Sequence, residues 1–588
     1  MKKNFAASIT GILIVSAVLY IILYSVLPNN RVVPAFDEGD THLVIGGDYI
    51  VTRNEPKILS EEILLPIDIV KKHIDPYIFW DEKLKKVTIT TQDKVIRMKT
   101  DNLSAMVNNK PVKLNIPVKI IDSTVYIPIK FLSDLYGVEI MYIPSTGVVV
   151  IDAVTSSKKL AEPVKENAVI RKGHSKHNPI IKKLDAEYGK KEKLQLRVFG
   201  EYDKWYKVRT PEGLVGYIEK RFTATRDITV DIPKKHDSRR ELWSPGSGRI
   251  NLVWEMIYQG SPDLSRQKKI EGLDVLSPTW FRVINVKGEL SNGADPAYVE
   301  WAHKSNYKVW ALFSNGFGDI ELTSKFLNNT DSRDNAIRQL LAYAALYKLD
   351  GINIDFENIY KRDKDALTQF VREITPLLKQ QGLVVSIDIS VPDGSETYSL
   401  CYDREALGEI VDYVILMAYD QHWRTSPVAG SVAEVSWVEE NINKTLKFVP
   451  AEKLILGMPF YTRLWKEEKG TDGKVKVSGS TGLSMKKAKA SIDDYAEKVL
   501  WDEKSGQYYA EYSKDGAVFK IWYENEDSIN LKSSLVLKYR LAGAAAWSKN
   551  NETPEVWQVL KTNLKEISSY EQWSSINRDK KYVYNQLD

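Results

Sequence analysis

At 588 residues the chain is too long for one ordinary domain, and three or four folded units are expected. Its 82 basic and 78 acidic residues leave a net charge of +4 with no basic block, which excludes a nucleic-acid surface. A single cysteine, Cys401, excludes an intrachain disulfide, and with no Cys–His motif beside it the thiol reads as a small buried side chain. At the N-terminus, Lys2 and Lys3 precede an uncharged run from Asn4 to Asn30 whose apolar heart is Ile9 to Leu27. Roughly 20 apolar residues cross a bilayer as a helix, whereas a cleaved signal carries an apolar region of about 7 to 15 and a small-residue cleavage site. Residues 5–27 are therefore predicted to be an uncleaved transmembrane anchor. The leading lysines place the N-terminus inside and the chain after residue 31 outside, a single-pass cell-membrane protein with its bulk extracytoplasmic. Without disulfides, stability must come from core burial, which large domains can supply.

Residues 40–153 hold a weak internal repeat. Ile63 to Ile67 leads to Ile78-Phe79-Trp80 and the strand Val87 to Thr90; Val125 to Ile129 leads to Val138-Glu139-Ile140 and the strand Val148 to Ile151. Each copy reads as a proline-marked strand, a short helix and a β-hairpin, and the pair resembles the copper-amine-oxidase N-terminal-like stalk domain. With no metal-ligand cluster beside it, that resemblance implies a spacer or wall-binding module and no copper. A charged linker over about 154–166 precedes a small β unit at 167–224. There Leu196-Arg197-Val198 and Trp205 to Arg209 alternate as strands, Gly213 and Gly216 mark turns, and Tyr217-Ile218 closes the pattern. It resembles a bacterial SH3 domain. His174 and His177 share a loop but supply too few ligands for a metal site, and neither metal nor cofactor is expected. A second linker spans roughly Thr225 to Gly248.

From Arg249 the texture changes to strands alternating with helices. Apolar runs at Ile250 to Trp254, Leu273 to Leu276, Val309 to Phe313, Gly351 to Glu357, Leu383 to Val391, Tyr413 to Ala418, Leu454 to Pro459 and Ala542 to Trp547 number eight. Helical periodicity separates them, for instance over 332–347 and 363–381. Eight such repeats predict a (β/α)8 TIM barrel over 249–565, with catalytic groups at the C-terminal strand ends. The stretch from Tyr461 to Leu541 is too long for one connection and predicts an α+β insertion at about 466–535.

Residues 350 to 357 read Asp-Gly-Ile-Asn-Ile-Asp-Phe-Glu. In a strand, Ile352, Ile354 and Phe356 share one face, and Asn353, Asp355 and Glu357 the other. Two carboxylates two residues apart have α-carbons roughly 6.7 Å apart, close enough to couple their titrations. From spacing alone a solvated edge strand fits as well as a site.

The octapeptide resembles the DxxDxDxE signature of glycoside hydrolase family 18, with Asn353 in place of the middle aspartate. Met417-Ala418-Tyr419-Asp420 matches the family's sixth-strand motif, Gly457 to Arg463 resembles the seventh, and Trp547 stands at the eighth-strand tryptophan. Ser314-Asn315-Gly316 is a loose third-strand motif. Phe356 and Asn358-Ile359 are more similar to the spore-germination and cortex-lytic branch than to chitinases. The resemblance implies substrate-assisted hydrolysis. In it Glu357 is acid and base, Asp355 orients the acetamido N–H, Tyr419 bonds the acetamido oxygen and Asp420 supports ring distortion. Trp547 carries the sugar face, while Asn353, Asp350, Met417, Tyr461 and Arg463 complete a substrate-binding set. Coupling to Asp355 in a partly desolvated barrel mouth is expected to keep Glu357 protonated, and Asn353 cannot carry the charge an aspartate would. The implied partner is a wall polysaccharide, peptidoglycan or a relative. A chitinase, an inactive glycan-binding protein and a scaffold of an envelope complex are the rival readings.

Overall fold

A computed structural model describes residues 27–578 apart from 37–38, 40, 60–61, 115, 185–193, 230–242, 259, 471–473 and 497. The expected anchor at 5–27 lies outside the described residues but for Leu27; among those described, no helix is long and apolar enough to cross a membrane. The chain forms two compact units, one of Met1–Ile78, Arg97–Met106 and Lys110–Arg239, the other of Phe79–Ile96, Val107–Asn109 and Arg240–Asp588.

In the first unit the two proline-marked strands, Glu62–Pro66 and Thr124–Pro128, pair antiparallel with each other, Leu65 opposite Ile127. Their inner faces are fully buried because Ile63, Leu64, Leu65 and Ile127 crowd one core. The second β region is larger than expected. Seven strands between Ser157 and Thr229 form one sheet around Ala161, Ile170, Leu196, Val208 and Ile218. Ser157–Pro163 pairs with Thr223–Thr229 along its whole length, so neither the proposed linker at 154–166 nor the start of the one at Thr225 is a linker. The charges that suggested a linker lie on solvated strand faces, where Lys158 pairs with Glu139 and Lys159 with Glu201.

The second unit holds a closed parallel barrel. Its strands are β1 (Ile250–Glu255), β2 (Val275–Val283), β3 (Lys308–Ser314), β4 (Gly351–Asp355), β5 (Val384–Ser390), β6 (Tyr413–Met417), β7 (Leu454–Pro459) and β8 (Gly543–Trp547). They pair in sequence, and β8 and β2 both pair with β1. The second strand runs well past its expected end at Leu276, through Pro278, because a bulge at Thr279–Phe281 absorbs the irregularity. Alternation sorts the side chains. Leu252, Trp254, Leu312, Ile415, Ile455 and Ala545 plug the interior, whereas Ile352, Ile354 and Phe356 face the helices. Phe356 stacks on Phe370 of the helix Lys364–Gln380, ring centroids 5.5 Å apart.

Between β7 and β8, five antiparallel strands from Tyr461 to Tyr523 and the helix Met485–Tyr495 make the inserted α+β layer. Its bounds differ from the expected 466–535. The helix Glu526–Lys538 belongs to the barrel, started by an Asn525 capping box and buried on nearly every side, which hides its amphipathic period. The barrel also continues beyond 565: Trp573, in the helix Tyr570–Ile576, is fully buried and donates to Asn530.

Candidate active site

The C-terminal end of β4 carries the site. Asn353 and Asp355 point into the barrel, and Glu357 follows two residues past the strand. The backbone of Glu357 is clamped from the neighbouring strand end. Asn315 Oδ1 accepts its N–H at 3.2 Å, while Asn315 Nδ2 donates to its carbonyl at 2.7 Å. Tyr402 donates its hydroxyl to the Phe356 carbonyl at 2.7 Å, and Asn358, at φ +53°, donates to Phe317. These contacts hold the backbone of the acid, whose side chain is half-buried with no lysine or arginine bonded to it among the described residues.

Electrostatics follow from burial. Glu357 is pushed up to about 7, first by desolvation and then by the charge of Asp420. Asp355 lies well above the ordinary carboxylate range, again by burial first, with Glu357 and Asp388 adding. The desolvation expected of the barrel mouth is the larger cause, while the charge acting on Glu357 is that of Asp420 rather than the expected Asp355. Tyr419 and Tyr461, their rings 6.4 Å apart, are both held well above 10 by burial, so each remains a hydroxyl donor at any physiological pH. Asp420, in a left-handed conformation at φ +58°, accepts from Tyr461 at 2.6 Å and from Arg463 at 2.7 Å. Arg463 keeps its buried Nε without a hydrogen-bond partner. Trp547, partly exposed, ends β8 and meets Trp254 edge to face at 5.9 Å. Met417 closes β6 at the same level.

Glu357, Asp355, Tyr419, Asp420, Tyr461, Arg463, Trp547 and Met417 thus gather at one barrel mouth. Two expected site residues do not. Asp350 precedes β4, at the opposite end, where it accepts from Lys308 Nζ at 2.8 Å and the Val309 N–H at 2.9 Å and pairs with His303. It cannot touch a substrate at the mouth, because the strand's length intervenes. Asn353 is 0 % exposed and cannot touch one either. Its Oδ1 accepts from Trp254 Nε1 at 2.8 Å, and its Nδ2 donates to Ser386 at 3.0 Å and Asp388 at 2.8 Å. With both amide donors used, Asn353 is a strut inside the barrel.

Asp388 and Asn315 were missed. Asp388 lay in a segment read as an apolar run, although Ser386, Asp388 and Ser390 alternate with Ile387 and Ile389. Asn315 was seen only as part of a loose motif. Among the described residues no group of three His, Cys, Asp or Glu is arranged to hold a metal ion. A neutral acid of pKa about 7 beside a second buried carboxyl suits proton transfer to and from a polar leaving group in a water-poor cleft.

Residues 286–552 match the glycosyl hydrolases family 18, and residues 44–151 match the copper amine oxidase N-terminal domain. An uncharacterized glycosylase of Bacillus subtilis, YvbX, is 27 % identical over 289 residues, 47 % of this chain and 81 % of that one. The cortical fragment-lytic enzyme of Bacillus subtilis is 26 % identical over 254 residues, 42 % of this chain and 57 % of that one. Human di-N-acetylchitobiase is 27 % identical over 282 residues, 42 % of this chain and 72 % of that one.

Proposed function

From the premise that this chain is a glycoside hydrolase carrying a family 18 domain, we propose that it cuts wall glycan on the reducing side of N-acetylglucosamine, with retention. Peptidoglycan is the favoured substrate. The supporting observation is the pair at the barrel mouth, Glu357 raised to about 7 beside the buried Asp355. At neutral pH about half the Glu357 population holds the proton that the glycosidic oxygen needs. Once the bond breaks, the same carboxylate takes a proton from water. The electrophile between those steps is held by the substrate's own acetamido oxygen, which attacks the anomeric carbon. Asp355 receives the acetamido N–H and stabilises the positive charge, while Tyr419 donates its hydroxyl to the acetamido oxygen. Trp547 offers a flat apolar face, and Asp420, anchored by Tyr461 and Arg463, supports the distorted ring.

The N-terminal run at 5–27, taken as an anchor, would hold the enzyme outside the cell membrane. The stalk domain and the β unit at 157–229, read as SH3-like, would then serve as spacer and wall-binding modules. The likeness to the cortical fragment-lytic enzyme favours a spore or wall setting; the likeness to di-N-acetylchitobiase favours a chitin-type oligosaccharide as second reading. Mass spectrometry of purified peptidoglycan digested by the full chain is expected to show new reducing ends on N-acetylglucosamine. New N-acetylmuramic acid ends would overturn the bond assignment. Release of oligomers from chitin with intact muropeptides would establish the second reading instead.

A further inference from the structure

Asp388 stands where a second inward carboxyl completes the interior beneath Glu357. The pairing of β4 with β5 sets Asn353 beside Ser386 and Ile354 beside Ile387. Continued one step beyond its last pair, the same parallel register sets Asp355 level with Asp388 on strands about 4.8 Å apart, and the Asp388 charge acts on Asp355. Asp355 is 4 % exposed and Asp388 1 %. Asn353 Nδ2 donates to Asp388 Oδ1 at 2.8 Å, while Asp355 Oδ1 is buried without a hydrogen-bond partner. A buried acceptor left empty is unfavourable; a proton on the neighbouring carboxyl would fill it.

Among the described residues no lysine or arginine is bonded to Asp355 or Asp388. Glu357 lies just past the end of β4. Tyr398 and Tyr402 come from the loop after β5, and Tyr419 and Asp420 follow β6. Tyr461 and Arg463, on the strand after β7, are both committed to Asp420. Trp254 of β1, Ser277 of β2, Ser314 of β3 and Trp547 of β8 are neutral. Like charges on adjacent strands in such surroundings do not both ionise.

We infer that Asp355 and Asp388 share one proton, and that Asp388 is a positioning residue of the hydrolysis, replacing from β5 the carboxyl that Asn353 lacks on β4. When an acetamido N–H reaches Asp355, the proton passes wholly to Asp388. The O–H bond at Asp355 breaks and the one at Asp388 forms, leaving Asp355 anionic and Asp388 neutral, with no other proton moved. Burial holds both carboxyls well above their ordinary range, in keeping with one shared proton. The role in turnover rests on the glycosidase reading; the shared proton does not.

Infrared spectra of the full chain separate the two. In a Glu357→Gln background, where that acid cannot contribute, a protonated-carboxyl carbonyl band is expected between about pH 6 and 8, where isolated carboxyls are ionised. Adding Asp388→Asn should remove it. Absence of the band, or its survival in the double variant, overturns the shared proton whether or not the chain cleaves glycan. With Glu357 in place, Asp388→Leu should lift the acid limb of the kcat/KM profile by about one pH unit or more, because Asp355 loses its donor. Asp388→Asn, which supplies an amide donor, should leave that limb near the parent. An unmoved acid limb in Asp388→Leu overturns the role in turnover, since a merely structural contact would lower the rate without moving the profile. Should the leucine variant fail to fold, the infrared comparison with the near-isosteric asparagine variant still decides.

Discussion

The two ends of the fourth barrel strand treat their carboxylates in opposite ways. Asp350, ahead of Gly351, is surrounded by compensation: the Lys308 ammonium, the His303 ring and a backbone N–H all reach it within 2.9 Å. Asp355 and Glu357, at the other end, face Asp388, Asp420 and tyrosine hydroxyls, and no lysine or arginine is bonded to either among the described residues. Five residues of strand separate a stabilising charge from a pair held partly protonated. The lower end of a barrel serves stability and the upper end chemistry; here the difference lies in whether a cation was supplied. Elsewhere in the same unit, deep charges are compensated by a bonded partner of opposite sign. Arg333 with Glu373 and Lys532 with Glu524 are fully buried pairs at 2.8 Å. The carboxyls of the mouth have no such partner among the described residues.

Substitutions that act on one end only would break this contrast or sharpen it. The largest effect is expected from Glu357→Gln, which removes the transferable proton and should lower kcat roughly 10²- to 10⁴-fold while glycan binding persists. Retention of more than a tenth of the parent rate would show that the acid lies elsewhere. The same variant should change stability with the opposite sign. Glu357 rises from an ordinary 4.5 to about 7 in the folded chain, so the folded state binds the extra proton between those values. The parent's stability from this group is complete below 4.5 and drains away as pH climbs to 7. Above that pH the glutamine variant should be more stable by about 3 kcal/mol, measured by urea denaturation at pH 5 and pH 8. An equal difference at both pH values would mean that Glu357 is not desolvated. The smallest effect is expected at the lower end. Asp350→Asn should cost about 1.5–3 kcal/mol, the range of a hydrogen bond to a charged group, with kcat within twofold. A large fall in kcat would return Asp350 to the site.

Much of this arrangement was legible in the sequence because strand alternation is strict. Ile352, Ile354 and Phe356 against Asn353, Asp355 and Glu357 fixed which face turned inward, and seven of the eight apolar runs marked barrel strands to within about two residues at either end. Proximity in a motif misled where alternation was not applied to the end. Asp350 is five residues before Asp355, and 3.3 Å per residue carries it to the far side of the barrel. Asn353 shares the inward face but lies a layer too deep to meet a sugar. Asp388 was hidden by a segment whose apolar content outweighed its polar alternation, and the strand Ser157–Pro163 by charges that a solvated sheet face tolerates. What no local pattern carries is the cross-strand partner. The bond from Asn353 to Asp388 spans 35 residues, and the clamp of Asn315 on Glu357 spans 42.

Glu357 remains an acid near neutrality because burial, and then the charge of Asp420, disfavour its anion. Titrating its side-chain carboxyl by carbon-13 NMR in the full chain tests this without any substrate. A midpoint near 7 is predicted; a midpoint near the ordinary 4.5 would contradict the account.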